Sequence, residues 1–219
     1  MILAVCGMER EARIAAGRDL VTVVGGSSGR LRERLESALA DARGVISFGI
    51  AGALCPRLRP GDCVVAAAIL AHGQRFEVDS AWSARLLARI PGAMLAPVAG
   101  ADALIATAAE KARMFDATGA RAADMESHIA AKVARSRGLP FAGLRVVADA
   151  ATSDLPACAS VALTPAGKVN LAAVLGSVVN RPWQIPQAIR MARESNAAFA
   201  ALLRCRALLG DGLLGPDRL

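Results

Sequence analysis

The sequence predicts an α/β fold built on a mixed sheet, and three observations carry that expectation. Short apolar runs alternate with amphipathic, Ala- and Arg-rich stretches from Ile2 to Val147, the pattern of strands interleaved with helices. Two of the runs end in small residues, Gly25-Gly26-Ser27-Ser28-Gly29 and Gly49-Ile50-Ala51-Gly52, as strands do where the chain turns into a helix. Hydrophobic residues fill 54% of the 219 positions, enough to bury a full core. No repeat or low-complexity linker interrupts the chain, so residues 1–219 are expected to form a single domain, helical from about Thr164 onward.

Ile2 to Cys6 reads as a first core strand, followed by a short helix or turn from Glu9 to Ala16 and a second strand from Leu20 to Val24. Arg30 to Asp41 is a charged amphipathic helix, and Gly44 to Phe48 a strand running into Gly49. Pro60-Gly61-Asp62 is a turn that feeds a strand from Cys63 to Ala68. A strand near Met94 to Val98 leads to Ala101-Asp102-Ala103 and a helix from Ala106 to Phe115. A helix over His128 to Arg137 is broken by Leu139-Pro140, and Ala142 to Val147 is a short buried strand. The polar loop from Ala151 to Pro156 precedes helices separated by Pro182 and Pro186.

Aromatics are 3% and Tyr is absent, so packing rests on Ala, Val, Leu and Ile. The net charge of +7 invites a nucleic-acid reading, but the arginines are dispersed and not interleaved with aromatics, which argues against it. Five cysteines without a C-x-x-C pair, beside only two histidines, argue against zinc and for reduced thiols in the cytoplasm. The opening Met-Ile-Leu-Ala-Val-Cys-Gly has no basic leader before it meets Glu9 and Glu11, so it is read as a strand and not a signal peptide.

Function concentrates in the run Asp124-Met125-Glu126-Ser127 and in Arg145-Val-Val-Ala-Asp149. The first places a carboxylate just before a helix and the second places one at the carboxyl end of a strand. In α/β folds such ends line the ligand crevice. Two acids reaching one crevice from separate elements suggest acid chemistry on a polar ligand. Each also has a plainer use: Asp124 and Glu126 both suit a helix first turn, and Asp149 suits a cap on the following loop. Gly25 to Gly29 either cradles an anion or is a simple turn; it matches neither a Walker sequence nor G-x-G-x-x-G. Gly49 to Gly52 either lets a flat base lie on the backbone or allows tight packing.

Taken in order, Gly7-Met8-Glu9-Arg10-Glu11, Ser47 to Leu54, Leu58 to Asp62, Asp124 to Ser127 and Arg145 to Asp149 resemble the nucleoside phosphorylase and nucleosidase superfamily that includes methylthioadenosine/adenosylhomocysteine nucleosidase. Thr118-Gly119-Ala120, His128, Gly138 to Phe141 and the Arg181-Pro182 tail look most like its hopanoid-associated phosphorylase branch. The resemblance implies a three-layer sandwich around a central mixed sheet, and cleavage of the N-glycosidic bond of adenosylhopane. A general methylthioadenosine/adenosylhomocysteine nucleosidase or purine nucleoside phosphorylase is the alternative. It implies that Asp149 protonates N7 of the departing purine, that Glu126 holds the ribose hydroxyls with Met125 packed on base and sugar, and that Glu11 orients attacking water. Ile50, Ala51 and Gly52 would line the substrate, Asp102 would sit beside the base, and Leu104 or Phe48 would supply an apolar wall where relatives carry an aromatic.

Two departures stand out. Ile50 replaces a Ser or Thr that contacts phosphate or nucleophile in many relatives, and Ala148 replaces a Ser before the catalytic acid. Gly26, Ser27, Arg30 and Arg145 remain candidates for an anion site, so water and phosphate both stay open as nucleophile. No metal or organic cofactor is implied, with phosphate at most a co-substrate, and the family implies a homodimer or larger assembly. From Ile185 the tail reads as a helix with Ile185, Ile189, Ala192, Phe199, Leu202 and Leu203 on one side. That side either covers the core or a subunit interface or, with its arginines and Trp183, makes peripheral contact with an anionic membrane.

Overall fold

The computed structural model describes residues 1–25, 28–161 and 170–216. Eight strands form one mixed sheet: β1 (Ile2–Cys6), β2 (Leu20–Val24), β3 (Gly44–Ala53), β4 (Cys63–Ala71), β5 (Gln74–Glu77), β6 (Met94–Gly100), β7 (Ala122–Asp124) and β8 (Phe141–Asp149). Seven α-helices are described: α1 (Glu9–Ala15), α2 (Ser28–Ala38), α3 (Ser80–Arg89), α4 (Ala108–Thr118), α5 (Ser127–Ser136), α6 (Leu171–Asn180) and α7 (Ile185–Leu209). The order β2-β1-β3-β7-β6-β4-β5 is closed by β8, which pairs with β3 in parallel and with β4 antiparallel. Strands β3, β8, β4, β6 and β7 therefore run in a ring, and only β2 and β5 are edges.

Both faces are covered, as expected for three layers. Leu31 and Leu35 of α2 and Ile129, Ala130, Ala131, Val133 and Ala134 of α5 enter one apolar cluster. Ala12 and Ala15 of α1, Trp82 and Leu86 of α3, and Phe199, Leu202 and Cys205 of α7 enter the other. Strands buried on two sides read as continuous apolar runs, and all nine residues of β8 are buried. The helix ends follow local chemistry. Thr107 and Glu110 form a capping box at the start of α4, and Gly119, at φ 68°, ends it in the left-handed region. The expected 106–115 boundaries thus shift two residues at the start and three at the end.

The tail departs from the single apolar side expected of it. Ala198, Phe199, Ala201, Leu202, Cys205 and Leu209 are buried, while Ile185, Ile189 and Leu203 are exposed. One half of α7 belongs to the core and the other half does not. Pro186 stands in the first turn of α7 instead of separating two helices, where its missing N–H has no bond to lose. All five cysteines are free thiols, with Cys63 Sγ 3.1 Å from Cys205 Sγ.

Candidate active site

The strands β1, β3, β7 and β8 deliver their carboxyl ends to one cleft of about 190 Å³. Its walls are largely backbone and small or aliphatic side chains: Gly7, Met8, Ile50, Gly52, Leu104, Ile105, Met125 and Leu155. Into that apolar setting project four ionisable side chains, Glu11, Glu126, Asp149 and Lys111, with Asp124 at the base.

Glu11 sits in the first turn of α1 and is almost fully buried. Its Oε2 accepts the Met8 N–H at 2.8 Å, and Oε1 reaches across to the Ile50 N–H of β3 at 2.7 Å. Burial pushes its pKa up, with Arg145 and those backbone N–H groups opposing. The tightness explains Gly49, because a Cβ there would stand 2.4 Å from Glu11 Oε1 and 2.7 Å from Arg145 Nη1. We expect Gly49→Ala to displace Glu11 and destabilise the fold by about 1–3 kcal/mol, as overpacking does; urea unfolding and steady-state activity measure the two effects separately.

Asp124 and Glu126 divide the roles that a helix first turn offered to both. Asp124 Oδ1 accepts the N–H groups of Glu126 and Ser127, at 2.8 and 2.7 Å, and Oδ2 accepts the Ser127 hydroxyl. It therefore holds the start of α5. Glu126 makes no capping bond and is free to face the cleft. A Cβ on Gly7 would lie 3.0 Å from its carboxylate oxygens, so bare backbone gives it room.

Arg145 lies beneath these acids, fully buried in β8. Its Nε is 2.8 Å from Asp124 Oδ2, too poorly aligned for a hydrogen bond. Nη2 donates to the Ser47 hydroxyl and is 3.9 Å from Glu126 Oε2, and Nη1 donates to the Ile50 carbonyl at 3.4 Å. One cation thus serves three carboxylates. The protein answers with protons: burial pushes the Glu126 pKa up to about 8, Arg145 opposing while Asp124 and Glu11 add to the rise. Burial disfavours the Arg145 cation, but the carboxylates outweigh it and raise its pKa.

On the opposite side, Asp149 ends β8 with its carboxylate 3.3 Å from where a Gly52 Cβ would be. Lys111 of α4 meets it, Nζ to Oδ2 at 2.5 Å, and also donates to the carbonyls of Ala150 and Ser153, both at 2.9 Å. Three acceptors satisfy the three N–H donors of an ammonium. Burial raises the Asp149 pKa, and Lys111 opposes it. Oδ1 has no such partner among the described residues. Such a cleft can donate a proton at one wall, hold hydroxyl groups at another, and accept a proton at a third.

The profile of the phosphorylase superfamily matches residues 12–179. The chain belongs to that superfamily. None of the curated proteins matches the sequence. Among solved structures, the S-adenosylhomocysteine nucleosidase of Streptococcus pyogenes is similar at TM-score 0.61 and 18% identity, over 91% of this chain and 95% of that one. The native futalosine hydrolase of Helicobacter pylori gives 0.63 and 14%, over 94% and 96%. The 5′-methylthioadenosine/S-adenosylhomocysteine nucleosidase of Helicobacter pylori gives 0.64 and 15%, over 93% and 96%. At such identities the likeness is one of fold.

Within this superfamily fold, the cleft brings together Glu11, Ile50, Ala51, Gly52, Leu104, Met125, Glu126 and Asp149, all expected from the sequence. Four expectations need correction. Phe48 is fully buried among the residues between the sheet and α1, α3 and α7; it shares a face of β3 with Ile50 but lies two residues earlier on the strand, in the core and not in the cleft. Asp102 points outward, held by His72 Nε2 at 2.9 Å and His128 Nε2 at 3.1 Å, while its neighbours Ala101 and Ala103 line the cleft. Arg145 is engaged by Asp124 and Ser47 beneath the site and is no anion receptor. Arg30 is exposed on α2 and does not line the cleft. Gly26 and Ser27 lie outside the described residues. Lys111 is the residue the sequence reading missed; a lone lysine in Ala108-Ala109-Glu110-Lys111 reads as solvated helix surface, and only its burial distinguishes it.

Proposed function

We propose that this enzyme cleaves the N-glycosidic bond of an adenine nucleoside by hydrolysis, with adenosylhopane as its substrate. The observation that carries the reading is the convergence of Glu11, Glu126 and Asp149, from three separate elements, on one apolar cleft. Asp149, backed by Lys111, donates a proton to N7 of the purine as the C1′–N9 bond breaks and its electron pair leaves with adenine. Glu126 holds the ribose hydroxyls, and in its ionised form the carboxylate stabilises the positive charge that grows on the sugar. Glu11 accepts a proton from water as the oxygen bonds to C1′. A pKa lifted toward working pH suits a general base.

Water is favoured over phosphate because Ile50 offers no hydroxyl and because the buried cations among the described residues, Arg145 and Lys111, are already engaged. The apolar rim of Leu104, Ile105, Met125 and Leu155 suits a hydrocarbon 5′ substituent. Adenine release from adenosylhopane in detergent, with and without phosphate and with the sugar product followed by mass, tests the reading. Phosphate-independent release of ribosylhopane is the expected result. Phosphate-dependent release of a phosphorylated sugar overturns the hydrolytic step, and turnover of methylthioadenosine alone makes the enzyme a general nucleosidase.

The pH profile carries its own test. As pH falls, Glu11 takes up a proton and stops serving as base, so kcat/KM drops on the acid side, above the ordinary carboxylate range. Glu11→Gln is expected to lower the rate by about 10²–10⁴-fold and to abolish that acid limb. A variant that keeps the limb assigns it to another group.

A further inference from the structure

Helix α6 is unlike its neighbours. It carries no charged residue, and Leu175 and Val179 are 63% and 77% exposed. Trp183, Ile185 and Ile189 continue the surface at 71%, 42% and 48%. Between Asp154 and Glu194 the chain has no acidic residue, only Lys168, Arg181, Arg190 and Arg193. Lys168 lies outside the described residues; the three arginines are exposed around the apolar patch. No helix among the described residues is long and apolar enough to cross a membrane.

We propose that this patch docks the protein on an anionic lipid surface. Apolar side chains with an exposed Trp enter the interfacial region, and a rim of one charge sign meets the headgroups. The charge pattern disfavours a second copy of the chain. A two-fold interface sets the same patch against itself, and here that would oppose Arg181 and Arg193 to their own copies, the nearby acid Glu194 being already paired with Arg190 at 4.0 Å.

The patch is also bonded to the cleft. Gln184 Oε1 accepts the Ala157 N–H at 2.8 Å, and Arg190 Nη2 donates to the Asp154 carbonyl at 3.2 Å. These contacts hold the loop whose Leu155 lines the cleft. Docking therefore brings this loop, one wall of the cleft, to the bilayer surface. Resting on the function proposed above, this places the 5′ substituent in the class of membrane-resident lipids.

Co-sedimentation of the full chain with phosphatidylglycerol/phosphatidylcholine vesicles, and with phosphatidylcholine alone, tests the proposal. We expect salt-sensitive binding to the anionic vesicles, with a blue shift of Trp183 fluorescence that Trp183→Phe removes. Val179→Asp combined with Trp183→Ala should weaken binding by at least about tenfold. Circular dichroism and turnover of a soluble nucleoside in that variant report whether fold and site are intact. Absence of binding to either vesicle, or equal binding by the variant, overturns the proposal. So does a variant that changes only the oligomeric state. Vesicle binding without adenine release from any nucleoside would leave the docking surface standing and remove the enzymatic reading.

Discussion

Asp149→Asn is expected to lower adenine release by about 10²–10⁴-fold, the usual contribution of a positioned general acid. The substitution separates chemistry from folding. An Asn carbonyl still accepts the Lys111 N–H, whose other two partners, Ala150 and Ser153, are backbone carbonyls. The fold should persist, with kcat falling far more than KM rises. What Asn cannot do is give up a proton to N7, because a carboxamide is not an acid at working pH. Steady-state kinetics with a thermal-melting control measures this. Full activity in a folded Asp149→Asn would move the proton donor elsewhere, with Lys111 itself the first group to examine.

Arg145→Met should produce the largest loss of stability. It fills similar space but leaves Asp124, Glu126 and Glu11 around a site with no cation. Breaking a buried charged network from one side costs about 3–5 kcal/mol, or roughly 6–20 °C in melting temperature for a chain of this size. The loss should grow with pH. The folded-state pKa of Glu126, about 8, lies above its ordinary value of 4.5. The native state therefore holds a proton that the unfolded chain releases, and this group's contribution to stability falls as pH rises from 4.5 through about 8. Without Arg145 to oppose the rise, the fall extends further. Unfolding midpoints in urea at acid and alkaline pH check the sign. A loss that does not grow between acid and alkaline pH would show that these carboxyls do not titrate in that range.

Much of the fold was legible because buried strands advertise themselves. Ile2 to Cys6, Gly44 to Phe48 and Ala142 to Val147 are continuous apolar runs, and all lie in observed strands. Two of them proved longer, since β3 and β8 extend into the cleft where Gly and Asp replace the apolar pattern. The elements missed were short or mixed. β5 is Gln-Arg-Phe-Glu and β7 is three residues long, and α3 begins at Ser80 on an Asp79 cap that the sequence reading passed over.

Within the site, local pattern was enough to mark the acids at strand and helix ends, the small residues at Gly49 and Gly52, and the apolar Ile50 between them. Tertiary structure alone decided how those groups are used. That Asp124 and not Glu126 bonds the first turn of α5 shows only in the hydrogen bonds, and the outward turn of Asp102 depends on His72 and His128 arriving beside it. Lys111 and Asp149 are 38 residues apart in the chain and in contact in the fold. Local pattern records what each residue's neighbours along the chain require. The protonation of a buried carboxyl is set by charges and backbone dipoles within a few ångströms, and those come from distant segments that only the closed sheet brings together.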